Sequence, residues 1–258
     1  MQIKETDKIL LISPHPDDEV IACGGFIAKY NRQIDILCIN SSGIKHEYDK
    51  LSAEEIAEVR CNEFKSVMKF AGIKNYDITK IFGIPPMINQ IEKNFKHYNS
   101  KFDFKAYDII LVPHKDDNHV EHKYVGNVLL KKCLKTSGYK KGLKIMRYEL
   151  WSPMNSPNYY EDITDYINKK EELINLYASQ SRSHYAERIL ALNKYRTLSS
   201  HFLNPEKFVE AFYVESVNEY LGKYNFKKLF SITNEYKNGD KRKVITILGK
   251  RIKLKTIK

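Results

Sequence analysis

The sequence predicts an α/β fold, a Rossmann-like doubly wound and mostly parallel sheet flanked by helices, with a small basic β-hairpin-like extension at the C-terminus. Three observations predict it. Residues 8–12, 34–39 and 107–112 are aliphatic runs with little polar alternation, the pattern of strands buried on both faces. Segments with helical apolar spacing lie between them. The last 37 residues, from Gly222 to Lys258, hold 12 Lys or Arg against 2 Asp or Glu, so most of the net charge of +11 belongs to that tail.

Each element has its own signal. The first strand, 8–12, leads through a Pro- and Asp-rich turn into a helix over 20–30. After the strand at 34–39, Ser52 with Glu55 three residues on makes a capping box that opens a helix over 52–71. Residues 78–84 and 143–150 are weaker strands. Between the latter and the strand at 107–112, a helix over 120–134 sets Val125, Val128, Leu129 and Cys133 on one face. A loop rich in Pro, Asn and Ser follows Trp151, then helices over 164–179 and 183–198 and a final strand at 208–215. The tail carries an Asn238-Gly239 turn signal between two β-prone runs.

The bulk numbers bound the class. With 258 residues, 42% of them hydrophobic, the chain can bury one main core, expected over 1–221, with 222–258 as the basic extension. Cys23, Cys38, Cys61 and Cys133 lie far apart without a CxxC pair, so reduced core thiols are expected rather than a stapled secreted scaffold. The apolar run at 8–12 is too short for a signal-peptide core, and no stretch is long enough to span a bilayer, which together predict a cytoplasmic protein. The tail has few aromatics, so nucleic-acid binding is not expected. Its alternating basic and apolar residues suit either peripheral contact with the inner face of a membrane or a solvated hairpin.

In open parallel sheets, ligands gather where the carboxyl ends of strands meet helix N-termini. There the chain places Ser13-Pro-His-Pro-Asp-Asp-Glu19 and Pro113-His-Lys-Asp-Asp-Asn-His-Val-Glu-His122. This mixed nitrogen and oxygen donor set suits Zn2+, with His15, Asp18 and His122 as ligands and an open position for water. Asp17, beside a ligand, is the expected general base, and His119 the group that stabilises an oxyanion and protonates a leaving amine. His114, Asp116 and Asp117 share the second loop without an assignable role. His46, His97, His184 and His201 have no partner cluster in sequence and read as surface or packing residues.

Pro14-His-Pro-Asp-Asp-Glu19, followed by Gly24-Gly25, resembles the signature of the PIG-L/LmbE family of zinc-dependent de-N-acetylases. The resemblance runs over roughly residues 8–215 and implies the same ligands, His15, Asp18 and His122, with Asp17 as base and His119 as second catalytic residue. It implies a substrate contact at Arg60, which could equally be a solvated helix residue pairing with Glu63. The family's Asp before the last ligand is Glu121 here, expected to orient His119 at a changed angle.

The expectation is therefore zinc-dependent hydrolysis of an N-acetyl amide on an amino sugar, in surface polysaccharide or glycoconjugate synthesis. The substrate is expected as an N-acetylated amino sugar carried on a nucleotide, a lipid or a glycan. Two alternatives stand beside it: a zinc amidase acting on a larger amide such as a thiol conjugate, and a non-catalytic binding protein with a decayed site. Loops at 44–51 and 151–160 are expected to set specificity.

Overall fold

The computed structural model describes residues 1–41, 50–81, 86–200, 204 and 206–222, and the backbone of 230–237, 240–247 and 250–253. The chain divides into two compact units, Met1–Ser216 and Val217–Lys258.

The first unit is built on a seven-stranded sheet of β1 (Ile9–Ser13), β2 (Ile34–Cys38), β3 (Tyr76–Ile78), β4 (Ile109–Pro113), β5 (Lys144–Tyr148), β6 (Tyr159–Asp162) and β7 (Val209–Ser216), in the order β3-β2-β1-β4-β5-β7-β6. The first five strands run parallel, and β7 pairs antiparallel with both β5 and β6. Every residue of β1 and β4 is buried, as their unbroken apolar runs require. The chain order reverses between β1 and β4, which puts the crevice for a ligand at their carboxyl ends. The edge strand β6 falls where the sequence suggests loop: it is four residues long and only Glu161 is fully buried, so it carries no apolar run.

Helix α1 (Asp18–Tyr30) kinks at Cys23, where φ is −127° and ψ 22°. The Gly24-Gly25 pair beyond the kink has a packing cause. A Cβ on Gly25 would lie 2.6 Å from Ile163, and one on Gly24 2.8 Å from Lys170 Cγ. The backbone N–H groups of Gly25 and Phe26 donate to the two carboxylate oxygens of Glu210, at 2.9 Å each, and Lys170 Nζ lies 2.7 Å from the same carboxylate. Helix α2 (Ala53–Ala71) starts on the expected capping box and stops at Gly72, whose φ of 77° is readily available only without a Cβ.

Two short helices, α3 (Ile88–Lys93) and α4 (Phe95–Lys101), lack a clear apolar period in sequence. The expected helix at 120–134 is α5 (Val120–Tyr124), a π-helical turn (Val125–Leu129) and α6 (Leu130–Ser137) in unbroken succession. In that turn Gly126 passes so close to β4 that a Cβ would meet the Pro113 carbonyl oxygen at 2.5 Å. Helices α7 (Ile167–Asn175) and α8 (Tyr185–Tyr195) complete the unit. The core joins α1, α2 and α7 to β1, β2, β4, β5 and β7, and all four cysteines are free and buried.

The second unit has a one-turn helix α9 (Val217–Tyr220) and a three-stranded antiparallel sheet, β8 (Phe230–Lys237), β9 (Asp240–Ile247) and β10 (Lys250–Lys253). Strands β8 and β9 form the expected hairpin, closed at the pair Lys237 and Asp240, and β10 adds a third strand. No helix among the described residues is long and apolar enough to cross a membrane.

Candidate metal centre

The turn after β1 is tied down locally. Ser13 Oγ donates to the His15 carbonyl at 2.6 Å, and the His15 N–H donates to Asp18 Oδ2 at 3.0 Å. Pro14 and Pro16 restrict the backbone on either side of His15. From the other loop, His119 stands at the N-cap position of α5, without a capping side-chain bond, and His122 lies one turn into the helix. Their rings therefore share a face, with centroids 4.5 Å apart.

Three donor atoms converge. His15 Nδ1 lies 3.1 Å from Asp18 Oδ2, His122 Nε2 lies 3.2 Å from the same oxygen, and the two ring nitrogens are 3.3 Å apart. A tetrahedral zinc site with bonds of about 2.0–2.1 Å has edges of about 3.3–3.4 Å. The three atoms thus outline one face of such a tetrahedron. His119 also lies close enough to offer a nitrogen, within 4.8 Å of those of His15 and His122.

The remaining nitrogen of each converging ring faces a buried carboxylate. His15 Nε2 meets Glu121 Oε2 at 2.5 Å, and His122 Nδ1 lies 3.1 Å from Asp117 Oδ1. A carboxylate hydrogen-bonded to the ring, as Glu121 is to His15, fixes ring orientation and tautomer in metal sites, and Asp117 lies at ion-pair distance from His122 without a hydrogen bond in line. Glu121 therefore faces His15, whereas the sequence suggests His119 as its partner. Residues two apart at a helix start point to different sides, so Glu121 turns away from His119 and reaches across to the loop after β1. Glu121 also accepts the Met87 N–H and, at 3.2 Å, the Asn40 amide. Asp117, which has no assignable role from sequence, is fully buried and accepts the N–H groups of His119 at 2.8 Å and Trp151 at 3.0 Å.

The electrostatics call for a cation. Burial pushes the Asp18 carboxyl up, but His122 and His15 outweigh it and hold it far below the usual carboxylate range. Burial pulls His122 down, yet Asp18 and Asp117 raise it to about 10. His15 is likewise raised against its burial by Asp18 and Glu121. The carboxylates thus favour positive charge at both rings, and a divalent cation would supply it. Burial, His15 and His122 together keep His119 below the ordinary histidine range.

Asp17 sits at φ 100°, ψ −35°, a left-handed conformation uncommon for any residue but glycine. Its side chain is buried against Arg60, whose Nη2 lies 3.2 Å from Asp17 Oδ1 and also donates to the Pro16 carbonyl. Burial raises Asp17 to about 7 in spite of Arg60. Arg60 is 6% exposed and does not pair with Glu63, which instead accepts the Ser179 backbone N–H and hydroxyl at 2.8 and 2.7 Å. The face of α2 that bears Arg60 points inward, which an i,i+3 pairing argument cannot reveal.

Asp17 opens on a cavity of about 210 Å³ whose walls include Asn175, Gln180, His184, Tyr185 and Glu187. Trp151, 39% exposed, stacks over the His122 ring at 6.3 Å between centroids and 19° between planes, and Tyr185 packs against it at 5.2 Å. His97 is a surface residue 2.6 Å from Asp77. His46, His201 and most of the loop at 44–51 lie outside the described residues.

Fold and site define a class: an α/β protein with a mixed imidazole and carboxylate cluster at the carboxyl ends of adjacent parallel strands. Residues 10–133 match the family model of PIG-L, GlcNAc-PI de-N-acetylase, and over that span the chain is PIG-L-like. The structure is similar to N,N′-diacetylchitobiose deacetylase from Pyrococcus horikoshii, with a TM-score of 0.68, 20% identity and coverage of 85% of this chain and 86% of that one. It is similar to GalB, the 4-carboxy-2-hydroxymuconate hydratase of Pseudomonas putida, with a TM-score of 0.62, 18% identity and coverage of 81% and 96%. It is also similar to Dbv21, a deacetylase of the A40926 pseudoaglycone, with a TM-score of 0.58, 13% identity and coverage of 81% and 97%.

Proposed function

We propose that the first unit is a metal-dependent hydrolase that removes the acetyl group from an N-acetylated amino sugar. The observation that carries the reading is the donor face of His15, Asp18 and His122, mutually 3.1–3.3 Å apart and backed by Glu121 and Asp117. The matched family, named for a de-N-acetylase, and neighbours named as deacetylases support the acetyl amide as the target bond. The exposed face of Trp151 above His122 suits the apolar C–H face of a sugar ring.

His15, Asp18 and His122 would hold the ion, and their nitrogen and oxygen donor set favours zinc. When bound, it supplies Lewis acidity toward the amide carbonyl and the attacking water. The water oxygen adds to the carbonyl carbon as Asp17 takes a proton from it, with Arg60 holding the Asp17 carboxylate in place. The oxyanion that develops accepts a hydrogen bond from the neighbouring His119. The C–N bond then breaks, the proton passes to nitrogen, and acetate and the free amine leave. The role of Arg60 is positioning: its Nη2 lies 3.2 Å from Asp17 Oδ1 and donates to the Pro16 carbonyl.

The second reading, an amidase for a larger amide, shares this centre and differs only in what the flanking walls accept. The extension from residue 222 is assigned peripheral contact with an anionic membrane face on its charge alone, in an otherwise cytoplasmic protein.

The test is metal analysis with an acetate-release assay. Purified protein should carry about one equivalent of zinc and release acetate from an N-acetylhexosamine compound, losing activity on chelation and regaining it with zinc. The Asp17→Asn substitution keeps the shape and tolerates positive φ, so that protein should retain metal while losing at least about 100-fold in rate. Full activity in the Asp17→Asn protein overturns the assigned base.

A further inference from the structure

The loop after β5 carries Trp151 against His122, and its backbone from Glu149 to Met154 belongs to no strand or helix. Such backbone must find partners in side chains or water. At one end of the loop, the Trp151 N–H donates to Asp117 Oδ2 at 3.0 Å, and Ser152 Oγ accepts the Asn118 N–H at 3.0 Å. At the other, Glu149 Oε2 accepts the Met154 N–H at 2.8 Å, which closes the loop on itself.

Arg196, in the 3₁₀ turn Arg196–Leu198 that follows α8, holds the same place. Its Nε lies 2.9 Å from Glu149 Oε1, its Nη2 lies 2.5 Å from Glu149 Oε2, and that Nη2 also donates to the Met154 carbonyl at 2.8 Å. Glu149 is 7% exposed and Arg196 6%. Helix α8 meets the loop a second time through Tyr185, its first residue, whose ring packs on Trp151 at 5.2 Å between centroids.

Energetics separate two roles for the buried pair. Two buried charges gain little stability over an apolar pair of similar size, because their desolvation offsets their attraction. An apolar pair, however, could not receive the Met154 N–H and carbonyl, and a lysine could not replace the planar fork that reaches a carboxylate through two nitrogens. What the pair adds is a fixed loop conformation. Trp151 is the residue that uses it, since its half-exposed indole lies only 19° from the plane of the His122 ring.

We propose that Glu149 and Arg196 are positioning residues that act through Trp151, presetting one wall of the substrate site. Breaking the pair then weakens substrate binding while the metal centre stays intact. The binding part rests on the hydrolase reading; the placement of Trp151 does not.

Trp151 is the only tryptophan of the chain, so its fluorescence reports on this loop alone. The test variant combines Glu149→Met with Arg196→Met, which removes both charges together and leaves neither unpaired. In the full-length protein, acrylamide quenching of Trp151 should increase and its fluorescence anisotropy should fall, because a loop freed of these bonds samples open conformations. With zinc loaded at the wild-type stoichiometry, KM for an N-acetylhexosamine compound should rise about 3–10-fold, the strength of one aromatic contact, and kcat should change less. Trp151→Ala should raise KM by a similar factor, and in that background the paired substitutions should add little, since residues that act through a common partner are not additive. Should the paired variant fail to fold, Arg196→Lys, which keeps the charge and loses the fork, takes the same measurements. Unchanged quenching, a KM effect undiminished in the Trp151→Ala background, or a loss confined to kcat or to zinc content overturns the proposal and leaves the hydrolase reading standing. If no acetate is released from any substrate, the hydrolase reading fails, and the quenching measurement alone decides whether the pair positions Trp151.

Discussion

At the scale of single residues, Asp117 lies beside the His122 ring and accepts two backbone N–H groups, so Asp117→Asn should lower zinc affinity by about 10–100-fold while the fold persists. Competition with a chromophoric chelator measures this, and an unchanged affinity removes Asp117 from the site. The proposed ligands are legible in the sequence, and the carboxylates beside them are not. His15, Asp18 and His122 stand out because two loops with acids and histidines fall at two strand ends of one sheet. Which carboxylate backs which ring depends on where α5 begins, and 113–122 offers Asp116, Asp117 and Glu121 as candidates. The helix start at Val120 turns Glu121 toward His15 and leaves Asp117 beside His122. An Asp two residues before a histidine whose N–H it accepts is a weak signal that the sequence does contain. The left-handed φ at Asp17 has no such signal, since the turn's strain is set by how β1 enters α1. Glu121→Gln should lower zinc affinity through His15 by the same order as Asp117→Asn.

At the scale of elements, boundaries set by local chemistry are readable and those set by distant contacts are not. The capping box of α2 is contained within four residues, and the helix starts where it predicts. The kink in α1 is not local, because its N–H groups are received by Glu210, 185 residues away in sequence from Gly25. The edge strand β6 is hidden for a related reason: its four residues are defined by pairing with β7. The kink makes two stability predictions. Glu210 and Lys170 are 1% and 0% exposed, so Glu210→Gln leaves a buried cation without its counter-charge as well as two weakened helix N–H bonds. A loss of about 3–5 kcal/mol in unfolding free energy is expected from denaturant titration. Gly25→Ala drives a methyl into Ile163 and should cost about 1–3 kcal/mol, or about 2–4 °C in Tm for each kcal/mol. Wild-type stability in both proteins would mean that α1 is not held against α7 and β7 through these groups.

At the scale of the whole molecule, the fold does not by itself choose the reaction. A hydratase and two deacetylases have similar structures at 13–20% identity, so chemistry follows the residues at the strand ends and not the sheet. Charge, in contrast, is a whole-molecule property that composition reveals directly. The residues before Gly222 are nearly balanced, and the remaining 37 carry 12 of the 43 basic residues with 2 of the 32 acidic ones. The core cluster of the first unit draws every member from residues before Ser216, so a chain ending at residue 221 should fold and keep the His15, Asp18 and His122 cluster. What it should lose is attraction to anionic surfaces, since each well-placed Lys or Arg contributes about 1 kcal/mol near a phosphatidylserine-rich leaflet. Co-sedimentation with phosphatidylserine vesicles should therefore retain the full-length chain and release the shortened one. Raising salt from about 0.1 M to 1 M shortens the screening length from about 10 Å to 3 Å and should release the full-length chain as well. Equal binding of both chains to neutral vesicles, or none by the full-length chain at low salt, rules out a membrane role for the tail.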